Sequence, residues 1–285
     1  GLDQRTIEVL SALYAGCPTA PIVRTTPGTA EMIKYTSNAM LAMAISFSNE
    51  IANLCGALGG IDVTEVMAGV HLSSYLSPVL ADGTRVTAPL ATFFQPGCGY
   101  GGSCLPKDTK ALVAHGRAAG EAMSVIDAVV RTNETQAKRT IALLDRHFDS
   151  LAGVRVAVLG LAFKPDTDDV RETPAAAIVK ELLQRAARVS VYDPVATAAF
   201  LRLFPAHDLD TPPTLSAALC DADVIVLVTR WNEFKEVPAL LNRLARAPLV
   251  LDGRRMLDRR ALERYEGIGW RPAEDATHVA EAVND

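Results

Sequence analysis

Positive charge, cysteine and long apolar runs are all scarce in this 285-residue chain. Its 28 lysines and arginines are outnumbered by 33 aspartates and glutamates, and the net charge of −5 leaves no basic stripe for nucleic acid. Five cysteines, an odd number without disulfide spacing, are typical of a protein from a reducing compartment. No run of about 18 apolar residues is present. We therefore expect neither nucleic acid nor a membrane as a partner.

Length and composition suit a globular protein of two domains. Hydrophobic residues make up 49% of the chain and charged residues 21%, which is ordinary for a protein with sizeable cores. The first residues contain no apolar signal segment, so we expect a cytoplasmic protein. Because the chain begins without methionine, we expect it to be a fragment.

The first part of the chain is predicted to be helical. The longest helix spans residues 29–58, with Thr26-Pro27 as a typical opening and Gly59-Gly60 as a typical end. It is apolar on most sides, so we expect it to be buried between neighbours. The other helices predicted here are residues 4–14, 63–68, 107–118 and 123–148.

The pattern changes near Gly153, where short apolar strands begin to alternate with helices. Strands are predicted at residues 155–160, 188–193, 223–229 and 248–253, and helices at 174–187 and 237–245. Strands that are apolar throughout and separated by helices are typical of a parallel sheet covered on both sides. The predicted fold class is α/β, with a central all-helical segment (residues 26–150) followed by a doubly wound, Rossmann-like parallel sheet (residues 151–285).

The most informative segment is a glycine-rich loop that ends on a cysteine. Four glycines lie between Gly97 and Gly102, and Cys104, Lys107 and Asp108 follow at the start of a predicted helix. Glycine lets main-chain amides approach a ligand closely. A helix N-terminus and a nearby lysine both stabilise a thiolate, so the pattern predicts a nucleophile at Cys104. Most cysteines are instead buried and unreactive. We expect this of the other four, Cys17, Cys55, Cys98 and Cys220.

A second group of polar side chains lies on the long helix. Glu31, Lys34 and Asn38 are three and four residues apart and therefore share one face. Lys34 and Asn38 can both donate hydrogen bonds to an oxygen that becomes negative during a reaction. The alternative is that Lys34 extends its ammonium group into solvent.

Polar residues also follow three of the predicted strands, where ligands of such sheets bind. They are Lys164, Asp193 and the pair Arg254-Arg255. Asp193 could contact the ribose of a dinucleotide, but the residues after the first strand do not follow G-x-G-x-x-G and include Pro165. Lys164 and the arginines instead suggest a phosphorylated ligand held by side chains. The alternative for the two arginines is an exposed surface pair.

Four motifs together resemble the UDP-glucose/GDP-mannose dehydrogenase family. They are residues 30–38 (AEMIKYTSN), 97–108 (GCGYGGSCLPKD), 160–174 (GLAFKPDTDDVRETP) and 252–255 (DGRR). They occur in the family's order and cover nearly the whole chain. The loop motif is more similar to the glucose branch of the family than to the N-acetylmannosamine branch.

The resemblance implies an NAD-dependent oxidation of the C6 alcohol of UDP-glucose to the carboxylate of UDP-glucuronate. Cys104 would capture an aldehyde as a thiohemiacetal, which is oxidised to a thioester and then hydrolysed. Lys34 and Asn38 would stabilise the negative oxygen, and Asp108 would position or activate water. For Asp108 the alternative is an acid that merely favours the helix start.

The resemblance also implies the binding residues. Substrate contacts carry over to Arg85, Gln95, Pro96, Gly97, Cys98, Gly99, Tyr100, Gly101, Phe163, Lys164 and Arg254. Lys107 and Arg171 match positions that contact NAD in the family. Arg85 would come from the partner subunit of a homodimer formed through the central helices, although its spacing to Cys104 is a few residues longer than in the family.

The resemblance begins at the end of the family's NAD-binding domain, so residues 1–25 are interpreted as the tail of that domain. We expect the chain alone to be inactive. Two alternatives stay open: a non-catalytic UDP-sugar-binding and dimerisation module, and a dehydrogenase for another nucleotide sugar, GDP-mannose or a UDP-N-acetylhexosamine. The presence together of Cys104, Lys34, Asn38 and Asp108 favours an enzyme, because a binding module needs none of them.

Overall fold

The computed structural model of the protein describes residues 3–17, 21–207 and 209–273. The first part is helical, as predicted. Its elements are α1 (Gln4–Tyr14), α2 (Pro27–Leu58), α3 (Val63–His71), the 3-10 turn Pro89–Phe93, α4 (Leu105–Ala118), α5 (Ser124–Ala142) and the 3-10 turn Leu143–Arg146.

The long helix α2 begins and ends through the predicted local signals. The hydroxyl of Thr26 accepts a hydrogen bond from the backbone N–H of Thr29 at 3.2 Å, and Pro27 occupies the first turn. At the other end Gly59 has a φ of 72°, which glycine adopts without strain. Packing of α2 against α4 and α5 makes it the central helix of this part.

One face of α2 is open, so the prediction that it is buried between neighbours is wrong for that face. The large apolar side chains exposed on it include Met40, Met43, Phe47 and Leu54. The buried face carries small residues such as Ala42 and Ala52, which let the neighbouring helices approach closely. By length and composition alone α2 could also cross a membrane, but 44% of its most apolar stretch is buried inside the protein. The buried face includes the polar residues Ser48 and Asn49.

The second part is a parallel sheet, as predicted. Its strands are β1 (Arg155–Leu159), β2 (Arg188–Tyr192), β3 (Val224–Leu227), β4 (Leu249–Asp252) and β5 (Tyr265–Gly267), in the order β2-β1-β3-β4-β5. Every neighbouring pair is parallel. The helices between them are α6 (Pro174–Gln184), α7 (Thr197–Leu201), α8 (Leu215–Cys220) and α9 (Val237–Leu241), with 3-10 turns at Asn232–Glu236 and Arg259–Ala261. The strand β5 is not predicted from the sequence because its three residues form no apolar run.

Both faces of the sheet are buried, which confirms the doubly wound α/β class. Val156 and Val158 of β1 face the core that also contains α6 and the helical part, whereas Ala157 and Leu159 face the core under α8 and α9. The helix α6 ends earlier than predicted, and Ala186 just beyond it has a φ of 57° that ends the helical path.

The helical part packs onto the α6 side of the sheet, with α5 lying along α6. A nearly buried ion pair ties the two parts together: the guanidinium of Arg255 donates to both carboxylate oxygens of Asp62, at 2.9 and 2.8 Å. A second tie joins Arg146 to Glu266 at 3.4 Å. These contacts fix the position of the helices relative to the edge of the sheet.

The cysteines divide differently from the prediction. Cys55 and Cys98 are buried, as predicted. Cys17 and Cys220 are exposed, so the prediction that they are core residues is wrong. Cys17 follows the end of α1, and Cys220 is the last residue of α8, so both lie where a helix ends at the surface. Cys104 is exposed as well.

Candidate active site

A cavity of about 470 Å³ lies at the carboxyl edge of the sheet. Phe163 and Lys164 reach it after β1, Thr229 and Arg230 after β3, and Arg254 after β4. The glycine-rich loop, defined here as residues 95–104, closes the opposite side. In the sheet, β2 lies on one side of β1 and β3 lies on the other, so the direction of the strand order changes between β1 and β3. Open α/β sheets bind ligands at such a switch point.

Cys104 lies on the wall of this cavity at the start of α4. It occupies the position just before Leu105, the first helical residue, and its side chain is exposed. The hydroxyl of Ser103 lies 3.8 Å from its Sγ. The free N–H groups at a helix start favour a negative charge there. The predicted nucleophile is therefore accessible from the cavity.

Asp108 lies one helical turn after Cys104 and is fully buried. Its carboxylate accepts hydrogen bonds from Lys107 Nζ at 2.7 Å, from Asn38 Nδ2 at 2.5 Å and from Lys34 Nζ. Burial raises the pKa of Asp108, but the hydrogen bonds from Lys107, Lys34 and Asn38 outweigh it and lower the pKa to about 2. The carboxylate is therefore ionised at neutral pH.

The two polar groups that the sequence places apart thus form one cluster. Lys34 does not simply extend into solvent: its ammonium group contacts Asp108 and lies 5.0 Å from the centre of the Tyr35 ring. The ammonium group of Lys107 lies 6.0 Å from the same ring. Two cations therefore pair with a single carboxylate, and both lie near the same aromatic ring.

Three amide side chains hold the glycine-rich loop. The backbone N–H of Gly97 donates to Asn49 Oδ1 at 2.7 Å, and its carbonyl accepts from Gln136 Nε2 at 3.0 Å. The backbone N–H of Tyr100 donates to Asn133 Oδ1 at 2.8 Å, and its carbonyl accepts from Asn133 Nδ2 at 3.0 Å. These side chains come from α2 and α5, so the helical part fixes the loop path.

Close approach requires glycine at Gly101 and leaves little room beside Gly97. A Cβ on Gly101 would overlap the carbonyl oxygen of Glu172. A Cβ on Gly97 would lie 2.6 Å from a terminal nitrogen of Arg254. The loop therefore packs directly on the segments that follow β1 and β4.

Most residues predicted to contact substrate line the cavity. They are Gln95, Pro96, Gly99, Tyr100, Gly101, Phe163, Lys164 and Arg254. Gly97 and Cys98 lie behind its wall. The Cys98 thiol is fully buried, 3.5 Å from the carbonyl oxygen of Gly253, and burial raises its pKa to about 11. Cys98 is therefore a neutral packing residue.

Arg85 is not among the residues that line the cavity of its own chain. Its guanidinium donates to the carbonyl oxygens of Leu72 and Ser77, at 2.9 and 2.7 Å. The contact orders the segment before the glycine-rich loop. A role of Arg85 in a partner subunit's site stays a prediction.

The residues matched to NAD contacts are both on the surface. The side chains of Lys107 and Arg171 are 63% and 67% exposed, and Arg171 pairs with Asp169 at 2.6 Å. Exposed cations can contact a phosphate from one side. They do not by themselves form a dinucleotide site, and their role towards NAD stays a prediction.

Asp193, directly after β2, forms hydrogen bonds with groups of the protein itself. Its carboxylate accepts hydrogen bonds from the backbone N–H groups of Leu161 and Ala162, at 2.7 and 3.1 Å, and from the indole of Trp231 at 3.0 Å. In a dinucleotide-binding turn the amides after the first strand face the cofactor. Here they face Asp193, so the turn after β1 does not fit NAD.

Four residues of this site are not predicted from the sequence. Asn49, Asn133 and Gln136 are ordinary helix residues by sequence, and only their long-range partners show their role. Arg230 could have been found, because it directly follows a predicted strand and such residues face the ligand edge of the sheet. With Lys164 and Arg254 it makes the cavity cationic.

The chemistry of the lining excludes some ligands. No aspartate or glutamate is among the described residues that line the cavity. Residues 3–17, 21–207 and 209–273 also contain no group of three or more histidine, cysteine or acidic side chains placed to hold a metal ion. The cavity therefore suits an anion bound by side chains and main-chain amides.

Comparison with known sequences agrees with these features. Residues 28–135 match the central domain of the UDP-glucose/GDP-mannose dehydrogenase family, and residues 157–259 match its UDP binding domain. The chain is 39% identical over 261 residues to the UDP-glucose 6-dehydrogenase AglM of Haloferax volcanii, covering 92% of this chain and 56% of that protein. It is 37% identical over 252 residues to the UDP-glucose 6-dehydrogenase TuaD of Bacillus subtilis, covering 88% and 51%. The chain spans about half the length of the curated relatives it matches.

Solved structures share the fold. A UDP-glucose dehydrogenase from the archaeon Pyrobaculum islandicum matches with a TM-score of 0.81 at 34% identity, over 94% of this chain and 57% of that one. A UDP-D-ManNAc dehydrogenase from Pyrococcus horikoshii matches with a TM-score of 0.74 at 28% identity, over 94% and 58%. The chain belongs to the UDP-glucose/GDP-mannose dehydrogenase family, and its helical and sheet parts are that family's central and UDP-binding domains.

Proposed function

We propose that this chain is the catalytic-cysteine and UDP-sugar-binding part of a cytoplasmic, NAD-dependent dehydrogenase that oxidises UDP-glucose to UDP-glucuronate. The observation that carries the proposal is the position of Cys104, exposed on the wall of a cationic cavity and one turn from the Asp108 cluster. The names of the relatives at 37–39% identity support the glucose assignment.

Covalent capture by Cys104 explains a four-electron oxidation at one site. Two NAD⁺ molecules, bound in turn, would each supply the acceptor for one electron pair. Once the C6 alcohol has become an aldehyde, the thiolate of Cys104 adds to the carbonyl carbon and gives a thiohemiacetal oxyanion. Its oxidation yields a thioester, and water then breaks the carbon–sulfur bond, releasing the carboxylate and the thiol. The aldehyde is held throughout.

The Asp108 cluster supplies the charge for these steps. Lys34 and Asn38 place an ammonium and an amide donor close together, which suits stabilisation of the oxyanion. A carboxylate with a pKa of about 2 is a weak base at neutral pH. We therefore assign Asp108 the role of orienting both donors, through which the attacking water is positioned, rather than of removing a proton from the water.

The remaining cavity residues bind the substrate. Lys164 and Arg254 are placed to pair with phosphate oxygens, and Phe163 offers an apolar surface beside them. The segment from Gln95 to Gly101 presents main-chain groups held by buried amides. These contacts support a nucleoside-diphosphate sugar as the ligand.

A homodimer through the central helices is part of this proposal. The open face of α2, with Met40, Met43 and Phe47, exposes apolar surface that a second copy can cover. Arg85 lies on the segment before the glycine-rich loop and would reach the cavity of the partner subunit.

Another sugar is the second candidate. The structure that matches from Pyrococcus horikoshii is a UDP-D-ManNAc dehydrogenase, and pocket shape sets such preferences. The shared chemistry would then be the same, with a different hexose in the Cys104 cavity.

Titration calorimetry of UDP-glucose, UDP and GDP-mannose into this chain tests the proposal. We expect the two UDP ligands to bind and GDP-mannose not to bind. Because Cys17 and Cys220 are also exposed, alkylation is measured in a Cys17→Ser/Cys220→Ser background, where UDP-glucose should slow the modification of Cys104. Equal binding of GDP-mannose would contradict the proposal, as would alkylation of Cys104 at the same rate with and without UDP-glucose. We expect no NADH formation by this chain alone, and turnover would overturn that expectation.

A further inference from the structure

Arg230 occupies a special position at the ligand edge of the sheet. It follows β3 after two residues and is exposed on the cavity wall. It also lines a neighbouring cavity of about 540 Å³, together with His71 and Lys235. Arg230 therefore lies between the cavity that contains Cys104 and a second one.

The guanidinium of Arg230 is held in place, but not all of its N–H groups have a hydrogen-bond partner among the described residues. Its Nε and Nη2 donate to the carbonyl oxygen of Arg254 at 3.1 and 2.5 Å, and Nη1 donates to Gln95 Oε1. A guanidinium has five N–H groups. One N–H on Nη1 and one on Nη2 therefore have no partner in the described part of the chain.

The charge around Arg230 calls for an anion. Lys164, Arg230 and Arg254 line one cavity, and none of them forms an ion pair within the described residues. Partial burial and the nearby charge of Arg254 lower the pKa of Arg230, and the charge of Asp252 opposes them. Cations held close together repel each other, and the part of this cost that Asp252 does not offset is relieved when a phosphate binds between them.

We propose that Arg230 is a phosphate-binding residue of the Cys104 cavity, in which its two free N–H groups bind phosphate oxygens of the diphosphate beside Lys164 and Arg254. The proposal rests on the proposed function in taking that ligand to be a UDP-sugar. Planar, paired N–H groups match phosphate geometry. Because Gln95 and the Arg254 carbonyl already hold the side chain, binding orders little that is mobile.

The test compares ligands that differ in phosphate number on matched variants. UDP, UMP, uridine and inorganic pyrophosphate are titrated into the wild-type chain and into Arg230→Gln, Arg230→Lys and Lys235→Gln. Lys235→Gln removes the same charge from the neighbouring cavity. Thermal unfolding of each variant checks that the fold is retained.

We expect Arg230→Gln to weaken UDP binding about ten- to hundredfold, since a hydrogen bond to a charged group contributes about 1.5–3 kcal/mol. Uridine binding should not change. Arg230→Lys should fall in between, because lysine keeps the charge but loses the planar pair. Lys235→Gln should match the wild type.

Three results would overturn the assignment of Arg230. The first is unchanged UDP binding in Arg230→Gln. The second is an equal loss for uridine, which would show that Arg230 only supports the wall through Gln95. The third is an equal loss in Lys235→Gln, which would place the anion in the neighbouring cavity. If the wild type binds pyrophosphate but not UDP, the proposed function fails, and the pyrophosphate titrations still decide the role of Arg230.

Discussion

The sheet part and the helical part differ in how completely they bury their apolar side chains. In the sheet part, Ile225 on β3 and Phe234 after it are fully buried between layers. In the helical part, Met40 and Phe47 on α2 are 46% and 48% exposed. The sheet is buried on both faces, on one of them partly by the helical part, whereas α2 leaves an apolar face exposed. A similar apolar sequence is thus buried in one part and, in the proposed homodimer, would serve association in the other.

The largest test of this comparison replaces a phenylalanine in each part. Phe234→Ala should lower the free energy of unfolding by about 3–5 kcal/mol, because it leaves a cavity in a closed core. Phe47→Ala should change the unfolding of the monomer by less than about 1 kcal/mol, since half of the ring is exposed. Urea denaturation at low protein concentration measures both.

A second pair of variants should diverge in assembly. Phe47→Glu should shift the chain towards monomer in analytical ultracentrifugation, because a charge would enter the covered face. Met67, a buried residue of α3, gives the matched control: Met67→Leu should leave the mass unchanged. A wild-type chain that is already monomeric at high concentration would count against α2 as the association surface.

The next effect concerns the tie between the two parts. Asp62→Asn should lower the free energy of unfolding by about 3 kcal/mol, because it leaves Arg255 nearly buried without its counter-charge. Asp145→Asn breaks the more exposed pair with Arg185 and should cost about 0–1 kcal/mol. Equal losses from the two variants in urea denaturation would show that the buried pair does not hold the parts together.

A smaller effect separates the two ways in which the site is held. Asn133→Leu removes both hydrogen bonds to Tyr100 and should lower the free energy of unfolding by about 1–3 kcal/mol. UDP affinity, measured well below the melting temperature, should also fall, because the loop loses its shape. Thr135→Val, on the same helix but exposed, should change neither the free energy of unfolding nor the UDP affinity. Normal UDP binding by a folded Asn133→Leu variant would show that the clamp is not needed for the site.

The smallest effect is the pH dependence contributed by Asp108. Its pKa is lowered from 3.8 to about 2, so its stabilising contribution is complete above pH 3.8 and is lost as the pH falls through 2. Wild type and Asp108→Asn should therefore show parallel stability profiles from about pH 5 to 8 and converge only below about pH 4. Profiles that already converge at neutral pH would contradict an ionised, paired Asp108.

Much of the fold could be predicted because it depends on local pattern. The bounds of α1 and the end of α2 at Gly59 follow from periodicity and capping, and the four longer strands follow from apolar runs between turns. The errors have a common cause. The errors concern the exposure of α2, Cys17 and Cys220, and the strand β5. Each depends on packing with residues that are distant in the sequence, which a local pattern does not show.

The candidate site divides in the same way. Cys104 at a helix start, the glycines before it and Lys164 after β1 are visible in the sequence, because each depends on neighbouring residues. Only the tertiary structure brings Lys34 and Asn38 to Asp108, 74 and 70 residues away, and Arg230 to Gln95, 135 residues away. The sequence by itself determined which chemical groups and which elements the protein has. The tertiary structure decided which groups meet, because contacts across such separations depend on the path of the whole chain and on the packing that fixes it.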